Sequence, residues 1–155
     1  MADGLMPDQP LTGRLEGARH RLPIRVYYED TDAGSIVYHA VYLKYAERAR
    51  TEMMRLTGLG HSDLLARHGV RLAVHRCTVE YHHPARLDDA LVVESRITAA
   101  SGATITMEQI VQRAEAGGHD FLNLATLTLR LVILDRQLRP TRLPSALRAV
   151  VSTYL

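Results

Sequence analysis

Residues Tyr27–Arg50 read YYEDTDAGSIVYHAVYLKYAERAR, and the change of period within this stretch decides the fold. The upstream segment LPIRVYYED is rich in β-branched and aromatic residues and reads as a strand from Ile24 to about Glu29. DTDAGS then stops it with a cluster of turn-forming residue types. From Tyr42 onward the apolar positions Tyr42, Tyr45, Ala46, Ala49, Met53 and Leu56 recur at helical spacing, with Lys44, Glu47, Arg48 and Arg50 between them. Gly58 sits where a left-handed cap would close that helix. Asp32 therefore falls where a strand hands over to a helix, and His39 follows close behind.

Beyond Gly58, SDLLARHG reads as a short second helix with Ser62 as its N-cap and Gly69 as its stop. VRLAVHRCTVEYHH then changes period. Val70, Leu72 and Val74 share one parity and Cys77, Val79 and Tyr81 the other, which a strand with a bulge near Arg76 explains better than a helix. Pro84 ends it. ALVVESRITAA, ATITMEQIVQRA and DFLNLATLTLRLVILD are three further strands, separated by hairpin-type turns at Ser101-Gly102 and Gly117-Gly118. The last is apolar on both faces over its second half, as for a strand covered by a helix on one side and by a partner on the other. LPSALRAVVSTYL reads as a closing helix, although the β-branched Val150, Val151 and Thr153 work against it. Strand, long helix, short helix and four consecutive strands make one α+β domain, with a curved antiparallel sheet wrapped around a single amphipathic helix. One helix cannot cover both faces of such a sheet, so a dimer is expected.

The 155 residues fit a single core, and 46% hydrophobic with 23% charged residues is an ordinary globular composition. The first twenty residues lack a basic region followed by an apolar run and read as a flexible tail, leaving residues 21–155 as the domain. No segment has the roughly 18 apolar residues of a membrane helix. Net charge is only +2, Lys44 is the single lysine, and the arginines are interspersed with acids. That distribution argues against a nucleic-acid stripe or a polybasic membrane patch. Cys77 is the only cysteine; it reads as a small core or dimer-face residue, and a reducing, cytoplasmic compartment is expected.

The first turns of a helix expose N–H groups with no internal partner, and these, with the positive end of the dipole, bind an oxyanion. A well-placed donor is worth about 3 kcal/mol in acyl-transfer sites. A carboxylate at Asp32 opposite such donors is placed to attack a carbonyl or to activate water. The simpler reading on spacing alone is that Asp30, Thr31 and Asp32 are turn or cap residues and His39 a hydrogen-bonded surface residue. Glu47 reads as a solvated helix residue. His82 and His83 are adjacent and point to opposite faces of a strand, and His75 with Cys77 lacks a third ligand at suitable spacing, so no metal site is expected. GxSxG, Walker-type and GxGxxG patterns are absent.

The block VYYEDTDAGSIVYHAVYLKYAERARTEM resembles the signature of the 4-hydroxybenzoyl-CoA thioesterase superfamily, and within it the Tol-Pal system-associated acyl-CoA thioesterases (the YbgC family). TVEYHHPARLDDALVVESRIT resembles the strand, turn and strand of the same family, and the likeness runs from about Pro23 to Pro144. The resemblance implies a hotdog fold and a homodimer or homotetramer with active sites at subunit interfaces. It also implies hydrolysis of an acyl-CoA thioester to free acid and coenzyme A. No cofactor is implied, since coenzyme A is part of the substrate. Carried over, the catalytic carboxylate matches Asp32, and the helix-start position whose N–H polarises the thioester carbonyl matches His39. Tyr28 matches a strand tyrosine near the site, and Val37 and Tyr38 match pocket-lining positions. Relatives commonly carry Gly where this chain has Ser35, so the loop either avoids positive φ there or tolerates the side chain. Two alternatives stand beside this reading. One is a hotdog hydroxyacyl-thioester dehydratase, disfavoured by an acid that precedes the helix in D-x-D form. The other is a non-enzymatic module binding acyl carrier protein or lipid-synthesis enzymes.

Overall fold

Residues 11–155 are described by a computed structural model. In chain order they form β1 (Arg14–Glu16), β2 (Arg19–Arg25), a 3-10 turn (Tyr28–Asp30), α1 (Val41–Leu56), α2 (His61–His68), β3 (Arg71–Tyr81), β4 (Ala90–Ser101), β5 (Thr104–Ala114), β6 (Phe121–Leu134) and α3 (Ser145–Thr153). The strands make one antiparallel sheet in the order β1-β2-β4-β5-β6-β3. The expected hotdog arrangement, one long helix laid across one antiparallel sheet, is present. β3 does not lie beside β4 as chain order suggests. It pairs with the far side of β6 and forms an edge.

The tail expected over residues 1–20 is corrected where the structure describes it. Arg14–Glu16 pairs with Arg19–Arg21 in a tight hairpin turned at Gly17, which has φ +60. Gly13 closes against the same strand: a side chain there would put its Cβ 2.3 Å from the Arg21 carbonyl oxygen. Residues 1–10, the remainder of that expected tail, lie outside the described residues. The expected strand from Ile24 to about Glu29 is also corrected, since β2 ends at Arg25. The Tyr27 N–H donates to Asp30 Oδ2 at 2.9 Å, which diverts the chain from the ladder into the 3-10 turn.

Along α1 the buried stripe is Val41, Tyr42, Tyr45, Ala46, Ala49, Arg50 and Met53. Burial of each large apolar member is worth about 2 kcal/mol, and Ala46 and Ala49 bring the helix close to the sheet. Leu56, expected on this stripe, is exposed as the helix ends, and Gly58 follows at φ +78 as the expected stop. The first half of α1 packs on Leu91, Val93, Val111, Leu127 and Leu129. Its second half shares a cluster with Leu64 of α2, Ile133 of β6 and Leu147 of α3. Between them runs a polar seam. Arg50 donates to Gln109 Oε1 at 2.8 Å, and Gln109 Nε2 donates to the Ala46 carbonyl at 2.9 Å and to Ser95 Oγ at 2.8 Å. Because every group in that seam has a partner, it rigidifies the helix–sheet contact.

The bulge expected near Arg76 is present as a register shift between Val74 and Arg76. One extra residue reverses the alternation, so Leu72 before it and Cys77 and Val79 after it all pack against the helix side. The two expected hairpin turns and the closing helix are also present.

His20 on β2 is fully buried; its Nε2 lies 2.7 Å from the Thr12 carbonyl oxygen. Burial lowers its pKa below the ordinary 6.5, partly opposed by that hydrogen bond and by Glu52. The unfolded chain therefore binds the proton first as pH falls, and stability is lost on acidification below about 6.5. His20→Gln keeps a side-chain donor and removes the titration. Its melting temperature is expected to fall less than wild type between about pH 7.5 and 5.5. Equal falls in the two proteins would contradict the assignment.

Candidate active site

The segment between the 3-10 turn and α1 is folded by its own backbone. Thr31 bridges Val37, the Asp32 N–H donates to the Ile36 carbonyl at 2.9 Å, and the Ser35 N–H to the Asp32 carbonyl at 3.0 Å. Val37, buried in the core, donates its N–H to the Ala85 carbonyl at 2.9 Å. These bonds make residues 31–37 a small rigid loop anchored at both ends.

The two acids of D-x-D take opposite roles. Asp30 is 7% exposed; its Oδ2 accepts the Tyr27 N–H and the Tyr45 hydroxyl, both at 2.9 Å. Its carbonyl accepts the Tyr38 N–H at 2.9 Å. Burial, followed by the hydrogen bond to Asp30, pushes the Tyr45 hydroxyl well above its usual range, so it remains a donor. Asp30 is thus a structural pin between loop and helix, a role that sequence reasoning missed. Asp32 is exposed, and among the described residues its Oδ1 accepts only a local bond, the Gly34 N–H at 2.8 Å. It is not the cap of α1. That position is Ala40, which makes no side-chain cap bond.

Asp32 and His39, expected together, do line one open cavity of ≈ 420 Å3, along with Val37, Tyr42, Tyr81 and His82. The Tyr38 carbonyl accepts the Val41 N–H at 2.9 Å, which sets the plane of the Tyr38–His39 peptide, and no backbone carbonyl among the described residues takes the His39 N–H. An exposed acid and a residue at the helix start thus line one space, a pairing suited to attack on a carbonyl if the His39 N–H holds its oxygen. Tyr38 flanks this space and does not line it: its ring lies 4.4 Å from that of His39. Tyr28 does not join them. It is 83% exposed and lines a second cleft, with Thr31, Ala33, Ser35, Leu87 and Asp32, the last shared by both spaces. The two tyrosines at positions 27 and 28 fall in a turn and not in the expected strand, so their side chains leave the sheet. Tyr42 and Tyr81 are the aromatic walls instead, with rings 5.4 Å apart edge to face. Among the described residues no three His, Cys, Asp or Glu side chains gather as a metal-binding group.

Ser35 has φ +62, so the loop keeps the left-handed conformation that glycine favours. That conformation costs a non-glycine residue about 1–2 kcal/mol, while glycine adds roughly 0.5–1 kcal/mol of unfolded-chain entropy. Ser35→Gly is therefore expected to stabilise by a few tenths to about 1 kcal/mol in chemical denaturation; a clear loss of stability would contradict the strain.

A separate cavity of ≈ 50 Å3 lies between the second half of α1 and α3, lined by Met53, Met54, Met107, Leu131 and Leu147. It contains none of the expected site residues.

Residues 26–151 match the model of the thioesterase-like superfamily. The acyl-CoA thioester hydrolase YbgC of Escherichia coli O6:H1 is 42% identical over 129 residues, which cover 83% of this chain and 92% of that protein. The crystal structure of a probable thioesterase from Bartonella henselae superposes with TM-score 0.74 at 32% identity, covering 81% of this chain and 99% of that one. A 4-hydroxybenzoyl CoA thioesterase mutant complexed with 4-hydroxybenzoyl CoA superposes with TM-score 0.81 at 18% identity, covering 86% and 99%, which speaks to fold alone.

Proposed function

The chain belongs to the thioesterase-like superfamily, and from that premise we propose that it hydrolyses acyl-CoA thioesters with Asp32 as nucleophile or general base. The substrate class follows the named activity of its YbgC relatives. The observation that carries the site is that the exposed Asp32 lines the same cavity as His39, whose N–H bonds to no backbone carbonyl among the described residues. The thioester carbonyl lies against that N–H, which stabilises the oxyanion as it forms. Asp32 either takes a proton from the attacking water or itself bonds to the carbonyl carbon, in which case water releases the acid in a second step. In both routes the C–S bond breaks, and the leaving thiolate takes a proton to give coenzyme A. The His39 imidazole orients water or substrate, Val37 forms the wall beside the thioester with Tyr38 behind His39, and Tyr28 contacts substrate only in the second cleft. The reaction uses no cofactor.

The same reading extends to assembly and setting. A homodimer or homotetramer is supported by the exposed edge of β3. Acyl carrier protein as a second acyl donor and association with the Tol-Pal system rest on the family resemblance, and the cytoplasm on the lone Cys77. Among the described residues no helix is long and apolar enough to cross a membrane.

The test is a thiol-release screen over short-chain, long-chain and aromatic acyl-CoAs, with a hydroxyacyl-CoA included. Hydrolysis releases thiol and free acid. Formation of an enoyl thioester without thiol would instead mark a dehydratase, and silence across the panel would favour a binding module.

A further inference from the structure

We propose that Tyr81, at the end of β3, is a positioning residue for this reaction: its hydroxyl holds the backbone that presents the His39 N–H. The inference rests on the thioesterase reading above. The Tyr81 hydroxyl donates to the His39 carbonyl at 2.8 Å, across 42 positions of sequence. That carbonyl belongs to the His39–Ala40 peptide, while the N–H expected to bind the oxyanion belongs to the Tyr38–His39 peptide. The second of these is set by the Val41 N–H donating to the Tyr38 carbonyl at 2.9 Å. With Tyr81 on the next carbonyl, both peptides flanking the His39 Cα are clamped, and the φ and ψ of His39 are set between them.

Tyr81 is itself well supported. Its ring meets Tyr42 edge to face at 5.4 Å and His39 edge to face at 6.5 Å. Tyr42 is in turn fixed because its hydroxyl accepts the Ala85 N–H at 3.0 Å. Burial raises the Tyr81 hydroxyl pKa above its ordinary 10, so it stays a protonated donor at neutral pH. No other side chain among the described residues bonds to the backbone of His39 or Ala40. Tyr81 also lines the cavity that holds Asp32 and His39. A donor loses little as a ground-state binder if its peptide swings by a fraction of an ångström, but it loses transition-state stabilisation, which depends on alignment with the developing oxyanion. The clamp should therefore act on turnover more than on substrate binding.

Tyr81→Phe keeps the ring and its packing and removes only the hydroxyl. Thiol release by this variant is expected to show kcat lowered about tenfold with KM within about twofold of wild type, and an unchanged melting temperature. The same factor is expected in a His39→Ala background, because that change leaves the backbone N–H in place. Amide 1H–15N spectra read the clamp without turnover: the Ala40 amide, on the held peptide, should shift and broaden while amides of β4 and β5 do not. An unchanged kcat, a matched rise in KM, loss of the effect in the His39→Ala background, or an unmoved Ala40 amide would each overturn the proposal. A wild type that releases no thiol would overturn the thioesterase reading and the catalytic role of the clamp with it, whereas the amide spectra would still decide whether Tyr81 holds the peptide.

Discussion

Asp32→Asn should lose about a thousandfold in kcat/KM for acyl-CoA hydrolysis, or about 4 kcal/mol of transition-state stabilisation, while melting at the wild-type temperature. The separation follows from what Asp32 touches. Its one local bond is the Gly34 N–H to Oδ1 at 2.8 Å, and the amide oxygen of Asn accepts that bond as well. The residue is exposed, so the substitution neither opens a cavity nor strands a buried partner. What Asn removes is the negative charge, and with it both routes available to the carboxylate, since an amide neither attacks the carbonyl nor takes a proton from water. Steady-state thiol release and a thermal melt on the same preparation check both halves. Activity within about tenfold of wild type would remove Asp32 from the mechanism.

Asp30→Ala, two positions earlier, should behave in the opposite way, with a stability loss on the order of 3 kcal/mol. The Tyr45 hydroxyl and the Tyr27 N–H share Asp30 Oδ2, and Tyr45 is fully buried against the sheet. Removing the acceptor leaves two donors short, and an unsatisfied buried donor costs about 1–3 kcal/mol. For a chain of this size the melting temperature should fall by roughly 10 °C. Asp30→Asn retains an acceptor oxygen and should recover part of the loss. Turnover in Asp30→Ala should fall only as far as the loop moves, because the Tyr38 N–H still bonds to the backbone carbonyl of residue 30. An Asp30→Ala protein that melts with wild type would mean that Tyr45 finds another partner.

These two acids also mark where sequence reasoning reaches its limit. DTD carries the same residue type twice at one spacing, and nothing local distinguishes the buried member from the exposed one. The distinction is made by Tyr45, fifteen positions away from Asp30 on the buried stripe of α1. The stripe itself was legible, because helical periodicity is a local pattern that burial then confirms. So were the hairpins at Gly102 and Gly117–Gly118, where glycines sit at positive φ, and the bulge of β3, which announces itself by a change of parity. The β1–β2 hairpin was not legible: RLEGAR is short, polar and strongly charged, and its order depends on the approach of Gly13 to Arg21. The placement of β3 against β6 was equally hidden, since side-by-side pairing of distant strands is decided by packing and not by order along the chain.

At the candidate site, Asp32, His39 and Val37 were expected close together, and they line one cavity beside the helix start. Tyr28, expected on a strand, lies in the 3-10 turn, because the hydrogen bond from the Tyr27 N–H to Asp30 turns the chain first. Tyr81 carried a signal that was available. It stands at the close of an alternating strand, just before His82, His83 and Pro84, where a side chain leaves the sheet edge toward the helix start.

The most direct measurement is single-turnover cleavage of an acyl-CoA by excess protein in oxygen-18 water, with thiol counted and both the product acid and the proteolytic peptides weighed by mass spectrometry. Hydrolysis at Asp32 requires one thiol released per acyl group, with the first label in the free acid when Asp32 activates water, or in the peptide that contains Asp32 when Asp32 attacks and water then opens the anhydride at the Asp32 carboxyl carbon. An intact or enoyl thioester, or label on a peptide lacking Asp32, would contradict it.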